Sequence, residues 1–232
     1  MYYGIDSSYI IFVVPALILS LWAQFKVKST FSRYSQIMCS RNITGAGAAK
    51  LLMDANSISD VAIESTGGSL TDHYDPGGHV LRLSQPVYGQ RSIAAVGVAA
   101  HETGHAIQHA QGYGPLFLRS SLVPAANIGS TIGPWLAIAG LFLGSSGIGG
   151  ILFNLGIILF GAAVLFYLIT LPVEFNASSR ALVMLQQNQV LTDEELAGVK
   201  KVLSAAAMTY VASALTAVMS LVRLLFLARR RR

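Results

Sequence analysis

Residues 122–170 carry no charged side chain. A soluble surface needs charge to stay solvated, so this stretch is confined to a core of unusual size or to a lipid bilayer. It divides at Gly144–Gly150 (GSSGIGG), a flexible polar break. The halves, Leu122–Leu143 and Ile151–Thr170, each reach the roughly 20 apolar residues that cross a bilayer, which predicts a transmembrane hairpin over 121–170. Gly129–Gly133 and Gly140–Gly144 are GxxxG pairs that permit close helix contact.

Composition supports the bilayer. Hydrophobic residues make up 53% and charged residues 12%, against roughly 45–50% and about 25% in soluble domains. A further apolar run, Ile10–Ala23, predicts a transmembrane helix over 7–25. A signal peptide would carry a positive n-region and a small-residue cleavage site. Here Asp6 precedes the run and Lys26, Lys28 and Arg33 follow it, the pattern of an uncleaved anchor with its N-terminus outside and the next domain in the cytoplasm. The last apolar segment, within 202–232, is interrupted by Arg223 and ends in Arg229–Arg232. If it spans, those arginines lie outside, against the positive-inside tendency; otherwise it lies in the interface or folds against the other helices. Both readings stand.

The net charge of +5 is uneven, with four of sixteen basic residues in the terminal run. Next to an apolar segment such a run suits anionic lipid headgroups. No basic patch interleaved with aromatics is present, so membrane lipid is an expected partner and nucleic acid is not. Cys39 is the only cysteine, which excludes an internal disulfide and reads as a small semi-buried side chain.

The soluble parts are then 26–120 and 171–201. In the first, Thr44–Met53 reads as a helix with a Thr N-cap. Val61, Ile63 and His79–Leu83 read as short strands around a turn-rich Asp72–Gly78. The expected fold is an α-helical membrane protein with a mainly α (α+β) cytoplasmic domain.

Within a helix expected over about 92–110 lies His101-Glu102-Thr-Gly-His105. Residues four apart share a helix face, so His101 and His105 can direct two imidazoles at one metal ion. Glu102 is rotated onward, where it can take a proton from a metal-activated water. Three ionisable groups in an otherwise apolar helix are costly without a partner, so a metal explains them better than a helix cap does. The small residues Ala99, Ala100 and Gly104 let the helix sit tightly in a core.

A hydrolytic zinc site uses three protein ligands and one open position. Between Asp75 and Asp193 the only acidic side chains are Glu102 and Glu174. Glu174 is therefore the candidate third ligand, on a helix within 171–201. The plainer reading pairs it with Arg180, itself a candidate to support the site from outside. His109, one turn beyond His105, is too far along the helix to share the metal and reads as supporting or structural. His73 and Tyr74 are candidates to hold the substrate or the oxyanion, or else belong to a turn in which Asp72 and Asp75 bond their own backbone. His79 reads as a surface histidine on a strand.

With these residues in hand, the chain resembles the YugP-like neutral zinc metallopeptidase family of bacterial membrane proteins. The resemblance rests on Val27-Lys-Ser-Thr-Phe31 with Tyr34-Ser35, Thr44-Gly45, Leu70-Thr-Asp-His-Tyr-Asp-Pro76, Leu81-Arg-Leu-Ser84, Ala99-Ala-His-Glu-x-Gly-His-Ala-Ile-Gln108 and Glu174-Phe-Asn-Ala-Ser178. Gly77 departs from it, standing where a basic residue is expected. The resemblance implies a membrane-bound zinc peptidase; the expectation for this chain is a multi-pass protein of the bacterial plasma membrane with a zincin-like cytoplasmic catalytic domain and one zinc per chain, acting on peptides or membrane proteins. The chain is also similar to membrane gluzincins of the heat-shock and prenyl-protease type. Those carry an aspartate four residues after the glutamate ligand; here that position is Ser178.

Two other functions compete. Intramembrane proteolysis of the site-two type recruits a later aspartate in a membrane segment, and none occurs between Asp75 and Asp193. A non-catalytic membrane scaffold with a structural zinc would want four Cys or His ligands, which one cysteine makes hard to assemble.

Overall fold

The structure, a computed structural model, describes residues 7–144 and 147–230. Asp6, the serine pair inside Gly144–Gly150 and the last two arginines lie outside the described residues. In order, the elements are α1 (Ser7–Phe12), α2 (Val14–Ser35), α3 (Gly45–Ala55), β1 (Ala62–Thr66), β2 (His73–Asp75), β3 (Val80–Ser84), α4 (Gln85–Tyr88), α5 (Ile93–Ala110), α6 (Gly114–Leu143), α7 (Ile148–Gln187) and α8 (Asp193–Arg230). The chain forms two compact units, one of residues 1–23, 117–172 and 209–232, the other of residues 24–116 and 173–208.

Among the described residues, four helices are long and apolar enough to cross a membrane: Ser8–Ser35, Gly114–Leu143, Ile148–Gln187 and Asp193–Arg229. The last two are longer than a span needs. The third apolar segment and the stretch bearing Glu174 are one continuous helix, as are the segment from Asp193 and the apolar run after it. No glycine lies between Thr170 and Gln187. Pro172 sits inside α7 without ending it.

In the first unit, small residues set how closely α6 and α7 approach. A methyl group at Gly129 would collide with the Leu159 carbonyl, and one at Gly133 would come 2.8 Å from the Phe160 nitrogen. Gly140 meets Phe153 in the same way, and Gly156 meets Ala137. A methyl group at Gly144 would meet nothing within 4 Å, and its φ of +98° closes the helix in the left-handed region that favours glycine. Gly129, Gly133 and Gly140 therefore make the close contact expected of them through their missing side chains, whereas Gly144 takes part only through its carbonyl oxygen, which a methyl group at Gly149 would strike. Ala137, Phe160, Ala163, Val164, Ala217 and Leu224 form a core. Ser20 and Thr216 hydroxyls meet at 3.2 Å. Large apolar side chains point outward, among them Trp135 at 73% and Phe142 at 78% exposure, as on a surface solvated by lipid.

The second unit has a small three-stranded sheet in the order β1-β3-β2, with β1 parallel and β2 antiparallel to β3. The turn-rich stretch 72–78 thus contains a strand. Tertiary pairing with β3 overrides local turn chemistry at His73–Asp75, while Asp75 still accepts from the amides of Gly77 and Gly78. Asp72 instead accepts from the amide and hydroxyl of Ser84. His79 lies just before β3 in the left-handed region, φ 50°.

Helix starts in this unit follow from local chemistry. Thr44 caps α3 by accepting from the Gly47 amide, and Ser92 caps α5 through the Ala95 amide. Thr192 and Glu195 form a reciprocal capping box at the start of α8. Leu52, Leu81, Leu83, Val96, Leu185 and Val199 are buried in one core with the small residues of α5. Cys39 is buried there, its thiol directed at the Ile43 carbonyl.

Candidate metal centre

Helix α5 is buried along most of its length, and it crosses α7 where small residues permit. A methyl group at Gly104 would approach the Ala177 carbonyl oxygen to 2.7 Å. This closeness places the His101–His105 face of α5 directly against Glu174.

There, one atom each of His101, His105 and Glu174 lies within 4.8 Å of the others. His101 Nε2 is 3.2 Å from Glu174 Oε2, and His105 Nε2 is 3.6 Å from the same oxygen. The two imidazoles stand almost perpendicular, 86°, with centroids 4.8 Å apart. Two ligands each about 2.1 Å from a tetrahedral zinc are separated by roughly 3.4 Å, so these donor atoms fit the ion. The donor chemistry fits as well: two imidazole nitrogens and one carboxylate oxygen, on buried or nearly buried side chains. Among the described residues this cluster holds three donors.

The other ring nitrogens are also held. His101 Nδ1 is 3.1 Å from the Ser178 hydroxyl, and His105 Nδ1 is 2.9 Å from Gln108 Oε1. Such outer contacts orient metal-binding imidazoles. Neither Ser178 nor Gln108 stands out in sequence as a support. Ser178 lies one turn after Glu174 on α7, so its hydroxyl reaches His101 from the helix that carries the third donor; Gln108 follows His105 by three residues on one helix face, which is the signal that could have found it.

Glu102 is buried, 8% exposed. Burial pushes its carboxyl up to about 7; the charge of His101 opposes the shift, while Glu174 and Asp72 add to it. Asp72 is itself raised by burial. His73 is exposed and lies near enough to act on Glu102 electrostatically, lowering it; its Nδ1 bonds the Thr71 carbonyl.

Tyr74 and His109 sit together. The Tyr74 hydroxyl is 2.8 Å from His109 Nδ1. Burial, with Asp60 and Asp75 nearby, pushes that phenol up to about 12. The His109 ring meets the edge of His79, whose Nδ1 bonds Asp60 at 2.7 Å. Arg180 bonds Asn176 Oδ1 at 2.7 Å and Gln111 Oε1 at 2.6 Å, with its guanidinium 6.0 Å from the Tyr113 ring centre.

Apolar helices long enough to span a membrane, together with a buried cluster of two histidines and a glutamate, define the class: a membrane protein with a metallopeptidase-type donor set. Within that class the chain belongs to the family described as "Putative neutral zinc metallopeptidase", whose profile matches residues 9–229. It is similar to "Putative membrane protease YugP" of Bacillus subtilis (strain 168), 52% identical over 215 residues that cover 93% of this chain and 94% of that protein. No solved structure matches.

Proposed function

We propose that this protein is a membrane-anchored zinc peptidase in which His101, His105 and Glu174 hold one zinc ion and Glu102 is the general base. The observation that carries the reading is the convergence of three donor atoms at zinc-compatible separations beside a buried carboxyl on the same helix. Family membership and the name of the Bacillus relative support it.

When bound, zinc acidifies a water molecule and polarises a peptide carbonyl. With the ion held by His101, His105 and Glu174, Glu102 would be the group to accept a proton from the attacking water and to return it to the departing amine. Ser178 and Gln108 keep the imidazoles oriented. The small, buried face of α5 excludes other water from the Glu102 side. Three protein donors leave a coordination position for the reaction, unlike the closed four-ligand set of a structural zinc.

The enzyme is placed in the bacterial plasma membrane as a multi-pass protein with its active site facing the cytoplasm. The basic residues Lys26, Lys28 and Arg33 after the first apolar segment support that orientation. Its substrates are peptides or membrane-protein segments at the membrane surface, and lipid surrounds its apolar helices.

The test is zinc content and peptidase activity of the detergent-purified protein beside Glu102→Gln and Glu174→Ala. About one zinc per chain is expected, with activity abolished by chelator. Glu102→Gln should keep zinc and lose turnover, whereas Glu174→Ala should lose zinc. Activity surviving in Glu102→Gln overturns the mechanism, and full zinc occupancy in Glu174→Ala overturns the ligand set.

A further inference from the structure

An imidazole offers a lone pair to a metal on one nitrogen only if its proton sits on the other, and most side chains that touch a histidine do not fix which. A hydroxyl both donates and accepts, and an amide turned end over end exchanges its donor and acceptor. His101 and His105 differ in this respect. Ser178, beside His101 Nδ1, is a rotatable hydroxyl. Gln108, beside His105 Nδ1, is held by groups of fixed polarity.

The end of the Gln108 amide away from His105 lies 2.9 Å from the Val173 carbonyl oxygen and 2.9 Å from Asn176 Oδ1. A backbone carbonyl only accepts, so the atom facing it is the amide nitrogen. The Asn176 atom is in turn identified by Arg180, whose Nε–H, a donor only, lies 2.7 Å from it. Two acceptors therefore fix the nitrogen end of Gln108, and its oxygen is left facing His105 Nδ1 at 2.9 Å. Gln108 is fully buried, so water does not take the place of these partners.

We infer that Gln108 is a positioning residue of the metal centre, locked in polarity by Val173 and by the Asn176–Arg180 pair, and that it holds His105 with the proton on Nδ1 and the lone pair on Nε2. The inference rests on the zinc reading of the site and deepens it. His105 is the ligand set in advance of metal binding. His101, whose hydroxyl partner turns to suit either tautomer, adjusts to the ion as it binds. The fixed donor that begins the relay, Arg180, stands two hydrogen-bonded groups away from His105.

The test uses the full-length, zinc-loaded protein in detergent, with zinc affinity read by competition against a chromophoric chelator. Gln108→Met should weaken zinc binding by about 10–100-fold, the usual cost of removing a partner of a ligand histidine. Ser178→Ala should weaken it less. Asn176→Leu removes the acceptor and should also weaken binding, whereas Asn176→Asp, which still accepts from both Gln108 and Arg180, should restore it towards wild type. A purely structural role for Asn176 would not separate these two variants. In the zinc-loaded wild type, ¹⁵N shifts of the histidine rings should report His105 with its proton on Nδ1. If Gln108→Met fails to fold, the half-buried Asn176 pair decides. Gln108→Met binding zinc as tightly as wild type, equal loss in the two Asn176 variants, or a proton on His105 Nε2 would each overturn the inference. A wild type that holds no zinc would overturn the zinc reading itself, which separates the two failures.

Discussion

Gly104 of α5 faces Ala177 of α7 so closely that an added methyl group would stand 2.7 Å from the Ala177 carbonyl oxygen. Gly104 adjoins His105, and Ala177 lies between Glu174 and Ser178 on the partner helix. The spacing of the donor atoms therefore depends on a glycine that binds nothing.

Gly104→Val should cost about 1–3 kcal/mol, as overpacking in a close-packed site does. It should also lower zinc occupancy, because forcing the helices apart separates His105 from Glu174. Thermal unfolding and metal analysis of the same preparation check both effects. Full zinc occupancy would show that the crossing tolerates displacement.

The raised carboxyl of Glu102 gives a dependence on pH. The stability sign follows from linkage. In the metal-depleted protein the folded value of about 7 exceeds the ordinary 4.5, so the folded state holds the proton more tightly and loses stability as pH rises between those values. Glu102→Gln escapes this loss. Relative to wild type its stability gain should grow from near pH 4.5 to near pH 7 and then level off, on the order of 3 kcal/mol. A gain independent of pH would show that the carboxyl is not perturbed.

Tyr74 separates two roles. Its phenol, up to about 12, stays protonated at any pH of interest and bonds His109. Tyr74→Phe should cost about 0.5–1.5 kcal/mol of stability, the worth of one hydrogen bond, with zinc content and turnover nearly unchanged. A fall in kcat of about 100-fold or more, with zinc retained, would instead make the hydroxyl an oxyanion donor.

In the first unit, Gly133→Leu would drive a large side chain into the α7 backbone at Phe160. The expected result is a lower unfolding temperature in detergent. An unchanged temperature would mean that the α6–α7 contact contributes little.

Much of the site is written locally. His101 and His105 share a face because they are four residues apart on a helix, and Ser92 caps that helix by its own side chain. The apolar spans are legible because a bilayer imposes length and freedom from charge on the segments that cross it. Glu174 was within reach of sequence only because few acidic residues compete with it. The strand at His73–Asp75 was not, since its own residues favour a turn and only β3 makes it a strand.

By itself, then, the sequence determined which segments are apolar enough for a membrane and which two histidines share a face, because these depend on neighbours within a turn or two. The tertiary structure decided what lies opposite that face. Glu174 beside both imidazoles, Ser178 behind one and Gln108 turned toward the other all depend on the angle and closeness at which α5 crosses α7. That crossing is set by van der Waals contact between Gly104 and Ala177, residues 73 positions apart in the chain.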